Sequence, residues 1–150
     1  MTATPDIEFK GVWKQFSRSP QPTLAGLDLK CYPGTIHSLI GHSGSGKSVT
    51  LRHVLGLMQP DSGEILIQGR PIVGLNDFDL RGIRSQFGML FQNSALFDSL
   101  DVFENVAFPL REHRRSWNEE QIERRVFELL KSVGLEQATD KMPSEISGGM

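Results

Sequence analysis

The stretch that most constrains this chain is a run of small residues that ends in lysine and serine. Residues 41–48 read GHSGSGKS, which is the pattern G-x-x-x-x-G-K-S. Residues 35–40 before it predict a strand, and residues 49–55 after it predict a helix. A strand, a glycine-rich loop and a helix in this order predict a loop whose backbone N–H groups surround a bound anion.

Each residue type in this loop has a physical reason to be there. Gly41, Gly44 and Gly46 are expected to adopt positive φ and to let the backbone approach a ligand closely. A helix that starts near Lys47 adds the positive end of its dipole. Lys47 can reach the outer phosphates of a nucleotide, and the Ser48 hydroxyl can ligate Mg²⁺. The dinucleotide pattern G-x-G-x-x-G is excluded, because its third glycine would fall on position 49, which is valine.

Composition excludes several classes of protein. The 150 residues are 38% hydrophobic and 23% charged with a net charge of -2, which is typical of a globular domain and gives no basic field for nucleic acid. The N-terminus lacks the pattern of a signal peptide, and no apolar run is long enough to predict a membrane-spanning helix. Cys31 is alone, so no internal disulfide is expected and a cytosolic setting is compatible. Any action at a membrane is expected to run through a partner.

The remaining pattern predicts an α/β fold with a change of character after position 93. Strands are predicted at 7–12, 24–29, 64–69 and, as a buried strand, 87–91, with a short helix at 77–84. From 101 to 130 the periodicity is helical, with Asn118 as a predicted N-cap. We therefore expect a mixed strand and helix unit in residues 1–93, followed by a helical unit in residues 94–150.

In this order the motifs resemble the ATP-binding-cassette (ABC) ATPase family over essentially the whole chain. The resemblance implies a phosphate-loop core with an antiparallel β subdomain in residues 1–93, and the Q-loop exit with the start of an α-helical subdomain, incomplete here, in residues 94–150. Phe16 stands where that family places an aromatic that stacks on adenine, with Trp13 as the alternative aromatic. Gln92 follows the predicted buried strand, as the Q-loop glutamine of the family does. Residues 146–150, ISGGM, are similar to the family signature LSGGQ. Taken singly, Phe16 also fits a core residue, Gln92 a polar strand end and the S-G-G triplet an ordinary turn.

The resemblance implies ATP and Mg²⁺ as cofactors and a head-to-tail dimer with a second ATPase subunit. It implies Mg²⁺ coordination by Ser48 and Gln92 and catalytic roles for Lys47 and Gln92, with the general base outside this chain. The signature would act on ATP held by the partner chain through Ser147, Gly148, Gly149 and Met150. The implied nucleotide-binding residues are Phe16, Gly41, His42, Ser43, Gly44, Ser45, Gly46, Lys47, Ser48 and Val49.

A narrower resemblance is visible to the ATPases of bacterial Mla-type phospholipid (toluene-tolerance) transporters. It is carried by residues 94–98, by residues 105–113 and by the ending in Met150. It implies ATP hydrolysis that powers lipid movement through an integral membrane permease, with a lipid-binding substrate-capture protein as an indirect partner. The chain would lie on the cytoplasmic side of the bacterial inner membrane. Its permease interface would include Phe97, Phe103, Phe108 and Pro109, in an apolar run that we expect to be partly exposed.

Several departures from the family pattern limit the prediction. Val49 replaces a frequent threonine, and Met150 replaces the usual signature glutamine. No Asp-Glu pair occurs, and every histidine precedes the signature, so the water-activating acid and the switch histidine are missing. We expect the chain to be a fragment cut within the signature that alone binds ATP poorly and does not hydrolyse it. The alternatives are another ABC importer or exporter, a soluble ABC ATPase, a nucleotide kinase, or an inactive nucleotide-binding chain.

Overall fold

The computed structural model describes residues 4–91 and 95–150. The chain forms two compact units, the first ending at Gly88 and the second beginning at Met89. Each unit has its own hydrophobic core. The first unit holds the glycine-rich loop, and the second holds the helical segment and the predicted signature.

The first unit is built on an antiparallel sheet in the strand order β2-β1-β3-β4. Its strands are β1 (Ile7–Lys14), β2 (Leu24–Cys31), β3 (Ser62–Ile67) and β4 (Arg70–Pro71). Strand β1 is central, with Phe9 opposite Leu29 on one side and Ile65 on the other. The alternating pattern of β1 buries Phe9 and Val12. The strands predicted near residues 7, 24 and 64 are thereby confirmed.

Two helices complete the first unit, α1 (Lys47–Val54) and α2 (Asp77–Arg84). Helix α2 starts where predicted because the Asn76 side chain accepts a hydrogen bond from the Asp79 N–H, a standard N-cap. The buried apolar residues of the sheet and both helices form one core: Phe9, Val12, Leu24, Val54, Ile65, Ile67, Ile72, Leu80 and Ile83.

Two predicted strands are wrong. Residues 35–40 and the described residues 87–91 form no strand. Ile36 and Ile40 are 96% and 94% exposed and Leu90 is 92% exposed, so neither segment is buried. Their sequences predict strands, but a strand forms only with a neighbour to satisfy its backbone hydrogen bonds. Neither segment has such a neighbour among the residues that the structure describes.

The second unit packs helix α3 (Val102–His113) against helix α4 (Glu119–Ser132), followed by a 3-10 turn at Pro143–Glu145. Helix α3 is capped by Asp101, and α4 by the predicted Asn118, whose side chain accepts from the Gln121 N–H. The core is Val102, Ala107, Ile122, Val126 and Leu130.

Arg111 links the two helices of this unit at their surface. Its guanidinium forms ion pairs with Glu104 on its own helix and with Glu119 at the start of α4. Within residues 4–91 and 95–150, no helix is both long and apolar enough to cross a membrane.

Candidate functional site

The loop of residues 41–48 closes around the ammonium group of Lys47. Lys47 Nζ donates hydrogen bonds to the carbonyl oxygens of Gly41 and His42, each at 2.8 Å, and lies 3.3 Å from Ser45 Oγ. The loop itself is tightened by the Ser45 N–H, which donates to the His42 carbonyl at 3.2 Å. Helix α1 begins at Lys47, so the free N–H groups of its first turn and the lysine lie at the same end of the loop.

The glycines of the loop are needed for different reasons. Gly44 and Gly46 have φ of +82° and +90°, as predicted. Gly41 does not have positive φ, so that part of the prediction is wrong. A Cβ on Gly41 would lie only 2.5 Å from Ser45 Oγ, so the Ser45 side chain would have to move to make room for it.

Gly46 also connects the loop to the sheet. A Cβ at this position would lie 2.9 Å from the carbonyl oxygen of Thr23 and 3.0 Å from Leu24 Cδ2. The backbone of the phosphate-type loop therefore rests directly on the start of strand β2. The segment that connects β1 to β2 carries Phe16, so Phe16 and the glycine-rich loop belong to one region of the first unit.

Phe16 lies on an exposed turn next to a positive charge. Its side chain is 37% exposed, and Lys14 Nζ lies 6.0 Å from the centroid of its ring. Phe16 is therefore not a core residue and its ring is accessible to a flat ligand. Trp13, the alternative aromatic, lies on β1 and is also partly exposed.

Asp61 holds the turn that carries Phe16, a contact that the sequence did not predict. Its carboxylate accepts hydrogen bonds from Lys14 Nζ and from the Gln15 N–H, both at 2.7 Å. The Lys14 hydrogen bond, with that of the Gln15 N–H, holds the pKa of Asp61 below its ordinary value. In the sequence Asp61 is visible only as part of a turn between α1 and β3.

Of the two predicted Mg²⁺ ligands, Ser48 lies within the described residues. It is exposed in the first turn of α1, and its hydroxyl makes no hydrogen bond to another described residue. One hard oxygen donor beside an anion site fits Mg²⁺, which is commonly held by few protein ligands together with phosphate oxygens. Within residues 4–91 and 95–150, no cluster of three histidine, cysteine or acidic side chains could hold a metal by itself. The other predicted metal ligand, Gln92, lies outside the described residues.

The predicted signature lies in the second unit as an exposed turn. The Met150 N–H donates to the Ser147 carbonyl at 2.9 Å, which closes the turn around Gly148 and Gly149. A Cβ on either glycine would meet no atom within 4 Å. The turn is therefore open to contact from outside the unit.

The apolar run that begins at Phe97 is partly exposed, as predicted. Phe97 and Phe108 are 49% and 44% exposed and pack edge to face with ring centroids 4.9 Å apart. Asn105 fixes this pair, because its side chain accepts from the Phe97 N–H and donates to the Phe97 carbonyl. Pro109 is exposed beside them and Phe103 is half-buried. We call Phe97, Phe108 and Pro109 the aromatic patch.

The glycine-rich loop, the lysine at its end and the helix that starts there define a phosphate-loop nucleotide-binding protein. A family model described as "ABC transporter" matches residues 24–150. The chain therefore belongs to the ABC transporter family. The predicted fold class, a phosphate-loop cassette with an antiparallel sheet and helices, is confirmed.

Similar proteins agree with this family. "Probable ribonucleotide transport ATP-binding protein mkl" of Mycobacterium leprae (strain TN) is 44% identical over 144 residues, which are 96% of this chain and 41% of that protein. "Intermembrane phospholipid transport system ATP-binding protein MlaF" of Haemophilus influenzae (strain ATCC 51907 / DSM 11121 / KW20 / Rd) is 42% identical over 144 residues, or 96% of this chain and 53% of that protein. The chain thus spans about half of these relatives or less.

A solved structure shows the same fold. The dimeric structure of a post-hydrolysis state of the ATP-binding cassette MJ0796 bound to ADP and Pi has a TM-score of 0.85 and 32% identity. It is matched over 95% of this chain and 64% of that chain.

Proposed function

We propose that this chain is the ATP-binding subunit of an ABC transporter and that, in the whole protein, ATP hydrolysis powers phospholipid movement through a membrane permease. One observation carries the nucleotide part of this proposal. The loop of residues 41–48 holds the Lys47 ammonium against its own carbonyl oxygens at the N-terminus of α1. A triphosphate offers the same ammonium stronger, charged acceptors.

Different groups of the loop have different proposed roles in phosphate binding. The N–H groups of the first turn of α1 donate to phosphate oxygens, and the helix dipole adds to the attraction. Lys47 exchanges its carbonyl partners for the outer phosphates and, in hydrolysis, neutralises charge on the transferred group. Ser48 holds Mg²⁺, which when bound neutralises phosphate charge. Gln92 remains the proposed second ligand.

The base of the nucleotide is proposed to stack on Phe16. The ring is accessible, and its turn rests on the glycine-rich loop through Thr23. Because phenylalanine has no polar group, stacking would discriminate little between bases.

The signature turn is proposed to act on a second copy of the chain. Ser147 would supply a hydroxyl, and Gly148 and Gly149 would supply backbone N–H groups close to the partner's γ-phosphate. The turn is exposed and its glycines are unobstructed, which supports this use. ATP would then join two subunits head to tail, and hydrolysis would release them.

The permease is proposed to bind the aromatic patch with Phe103 at the cytoplasmic side of the bacterial inner membrane. Exposed aromatic residues that are held in place by hydrogen bonds favour a protein contact. A lipid-binding capture protein would deliver the cargo to the permease. The similarity to MlaF supports phospholipid as that cargo. The similarity to the mkl protein supports a different cargo, a ribonucleotide, as the second candidate.

The sequence contains no Asp-Glu pair to activate water. We therefore propose that these 150 residues alone bind ATP weakly and do not turn it over. Steady ATP hydrolysis by the purified 150-residue chain, lost in Lys47→Ala, would contradict this part of the proposal.

Titration calorimetry of the 150-residue chain with Mg-ATP tests the nucleotide site. Lys47→Ala is expected to reduce affinity by at least about tenfold, because it removes a charge-assisted hydrogen bond to phosphate. Lys10→Ala, an exposed lysine on β1 that forms ion pairs with Glu8 and Glu64, is the control and should not change binding. Equal affinity for wild type and Lys47→Ala would refute the proposed site.

The cargo is tested with the whole protein bound to its permease in vesicles. Phospholipid cargo predicts that ATP hydrolysis is stimulated by phospholipid supplied on the capture protein and not by ribonucleotides. The opposite pattern would establish the second candidate.

A further inference from the structure

We propose that Asp61 is a positioning residue for base binding, and that it acts by holding the turn that presents Phe16 to the base of ATP. The proposal rests on the proposed nucleotide-binding function. Asp61 would not touch the nucleotide itself. Its effect would pass through residues 13–15, which immediately precede Phe16 at the end of β1 and the start of the following turn.

Asp61 binds the chain on both sides of the end of β1. Its own N–H donates to the Trp13 carbonyl at 2.9 Å, and its carboxylate accepts from the Gln15 N–H at 2.7 Å. These contacts join positions 46 or more residues apart in the sequence. The same carboxylate accepts from Lys14 Nζ at 2.7 Å, so one side chain fixes both the backbone and the charge that lead into Phe16.

The rest of the turn is fixed independently of Asp61. The Ser19 N–H donates to the Phe16 carbonyl at 2.8 Å, and the Thr23 N–H donates to the Lys14 carbonyl at 2.7 Å. The first hydrogen bond closes the turn after Phe16, and the second ties Lys14, at which the turn begins, to the residue before β2. The Lys14–Gln15 peptide is therefore held on both sides, its carbonyl by the Thr23 N–H and its N–H by the Asp61 carboxylate, and Asp61→Ala removes the second of these bonds.

The ion pair also controls the charge beside the aromatic ring. Lys14 Nζ lies 6.0 Å from the Phe16 centroid while it is held by Asp61. Lys14 is largely buried at 17% side-chain exposure, whereas Asp61 is 47% exposed. Asp61 is therefore not part of the core, and its removal should free Lys14 and the turn while leaving the sheet in place. The glycine-rich loop makes its contact with the sheet at Thr23 and Leu24, on the segment that pairs with Lys14, and not at Asp61 itself.

The test compares two ligands that share phosphates but differ in the base. Binding of Mg-ATP and of Mg-tripolyphosphate is measured by calorimetry on the 150-residue chain for wild type, Asp61→Ala, Phe16→Ala and the double variant. Asp61→Ala is expected to weaken ATP binding by about five- to tenfold, because part of the free energy of base stacking would be lost. Tripolyphosphate binding should not change. Glu64→Ala, which removes an exposed carboxylate on β3 that pairs with Lys10, is the control.

The double variant distinguishes positioning from general destabilisation. If Asp61 acts through Phe16, the double variant binds ATP no more weakly than Phe16→Ala alone. Additive losses, or an equal loss of tripolyphosphate affinity in Asp61→Ala, would overturn the proposal while leaving the nucleotide site intact. If Phe16→Ala binds ATP as wild type does, base stacking on Phe16 is refuted. Because the 150 residues alone are proposed to bind ATP weakly, both titrations extend to millimolar ligand; if wild type binds neither ligand there, the proposed nucleotide site itself is refuted.

Discussion

Replacement of Arg84 by methionine should destabilise the first unit by releasing the end of the helix that follows the glycine-rich loop. Arg84 lies at the end of α2. Its Nε donates to the Leu55 carbonyl at 2.9 Å and its Nη2 donates to the Gly56 carbonyl at 3.1 Å. Both carbonyls lie where α1 ends, so a cation there also interacts favourably with the helix dipole.

The expected loss follows from these contacts. Each hydrogen bond is partly buried and is expected to contribute about 1 kcal/mol. The dipole interaction adds about 0.3–1 kcal/mol. The ion pair of Arg84 with Asp77 adds little, because the Asp77 side chain is 87% exposed and water screens the pair. The sum is a loss of about 2–3 kcal/mol for Arg84→Met, and roughly half of it for Arg84→Lys, which can hold fewer carbonyls.

Urea unfolding followed by tryptophan fluorescence measures this loss. The two tryptophans lie in different units, so a Trp117→Phe background leaves Trp13 to report on the first unit. With m of about 1–3 kcal/mol/M, Arg84→Met should lower the unfolding midpoint by roughly 1 M. The matched control is Arg81→Met on the same helix, whose guanidinium lies over the Phe78 ring and is exposed. Equal midpoints for the two variants would refute the capping role of Arg84.

Two further predictions concern the loop and the helical unit. Gly46→Ala should cost more stability than Gly44→Ala in the same urea assay, by roughly 1–3 kcal/mol, since both have positive φ but only Gly46 has a backbone atom, the Thr23 carbonyl oxygen, within 3 Å of the added Cβ. Equal losses would mean that backbone strain alone matters. The Arg111 hydrogen bond holds the pKa of Glu104 below its ordinary value of 4.5. The resulting stability is therefore present above about pH 4.5 and is lost as the pH falls through the lowered pKa. Because both partners are partly exposed, Glu104→Gln should cost only about 0.5 kcal/mol near pH 7 and almost nothing in strong acid, as measured by thermal unfolding. Glu112→Gln, an exposed glutamate of α3, should change neither value, and a Glu104→Gln loss that is the same at both pH values would contradict the linkage.

Elements that depend on nearby residues were predictable from the sequence. The bounds of α2 follow from its own cap, Asn76, and those of α4 from the cap Asn118, each of which bonds an N–H three residues later. The glycine-rich loop is equally local, because Lys47 contacts carbonyls five and six residues before it. Such contacts join residues that are close in the sequence, so a sequence pattern can predict them.

Features that depend on distant residues were not predictable in the same way. The apolar pattern of residues 35–40 and 87–91 indicates a preference for burial, but it does not provide the neighbouring strand that burial requires. Ile36 and Leu90 are consequently exposed. Asp61 was missed for the same reason. Its partners Lys14 and Gln15 are 47 and 46 residues away, and only the sheet brings them together.

Residues 35–40, which form no strand, do not hold the glycine-rich loop in its conformation. Ile40 directly precedes the loop and is 94% exposed, so the loop is not held from that side. It is held by Lys47 from within and by the contact of Gly46 with Thr23 and Leu24 from the sheet. Both supports belong to the first unit. Phosphate affinity in this chain should therefore depend far more on the antiparallel sheet and on Gly46 than on residues 35–40, which directly precede the motif.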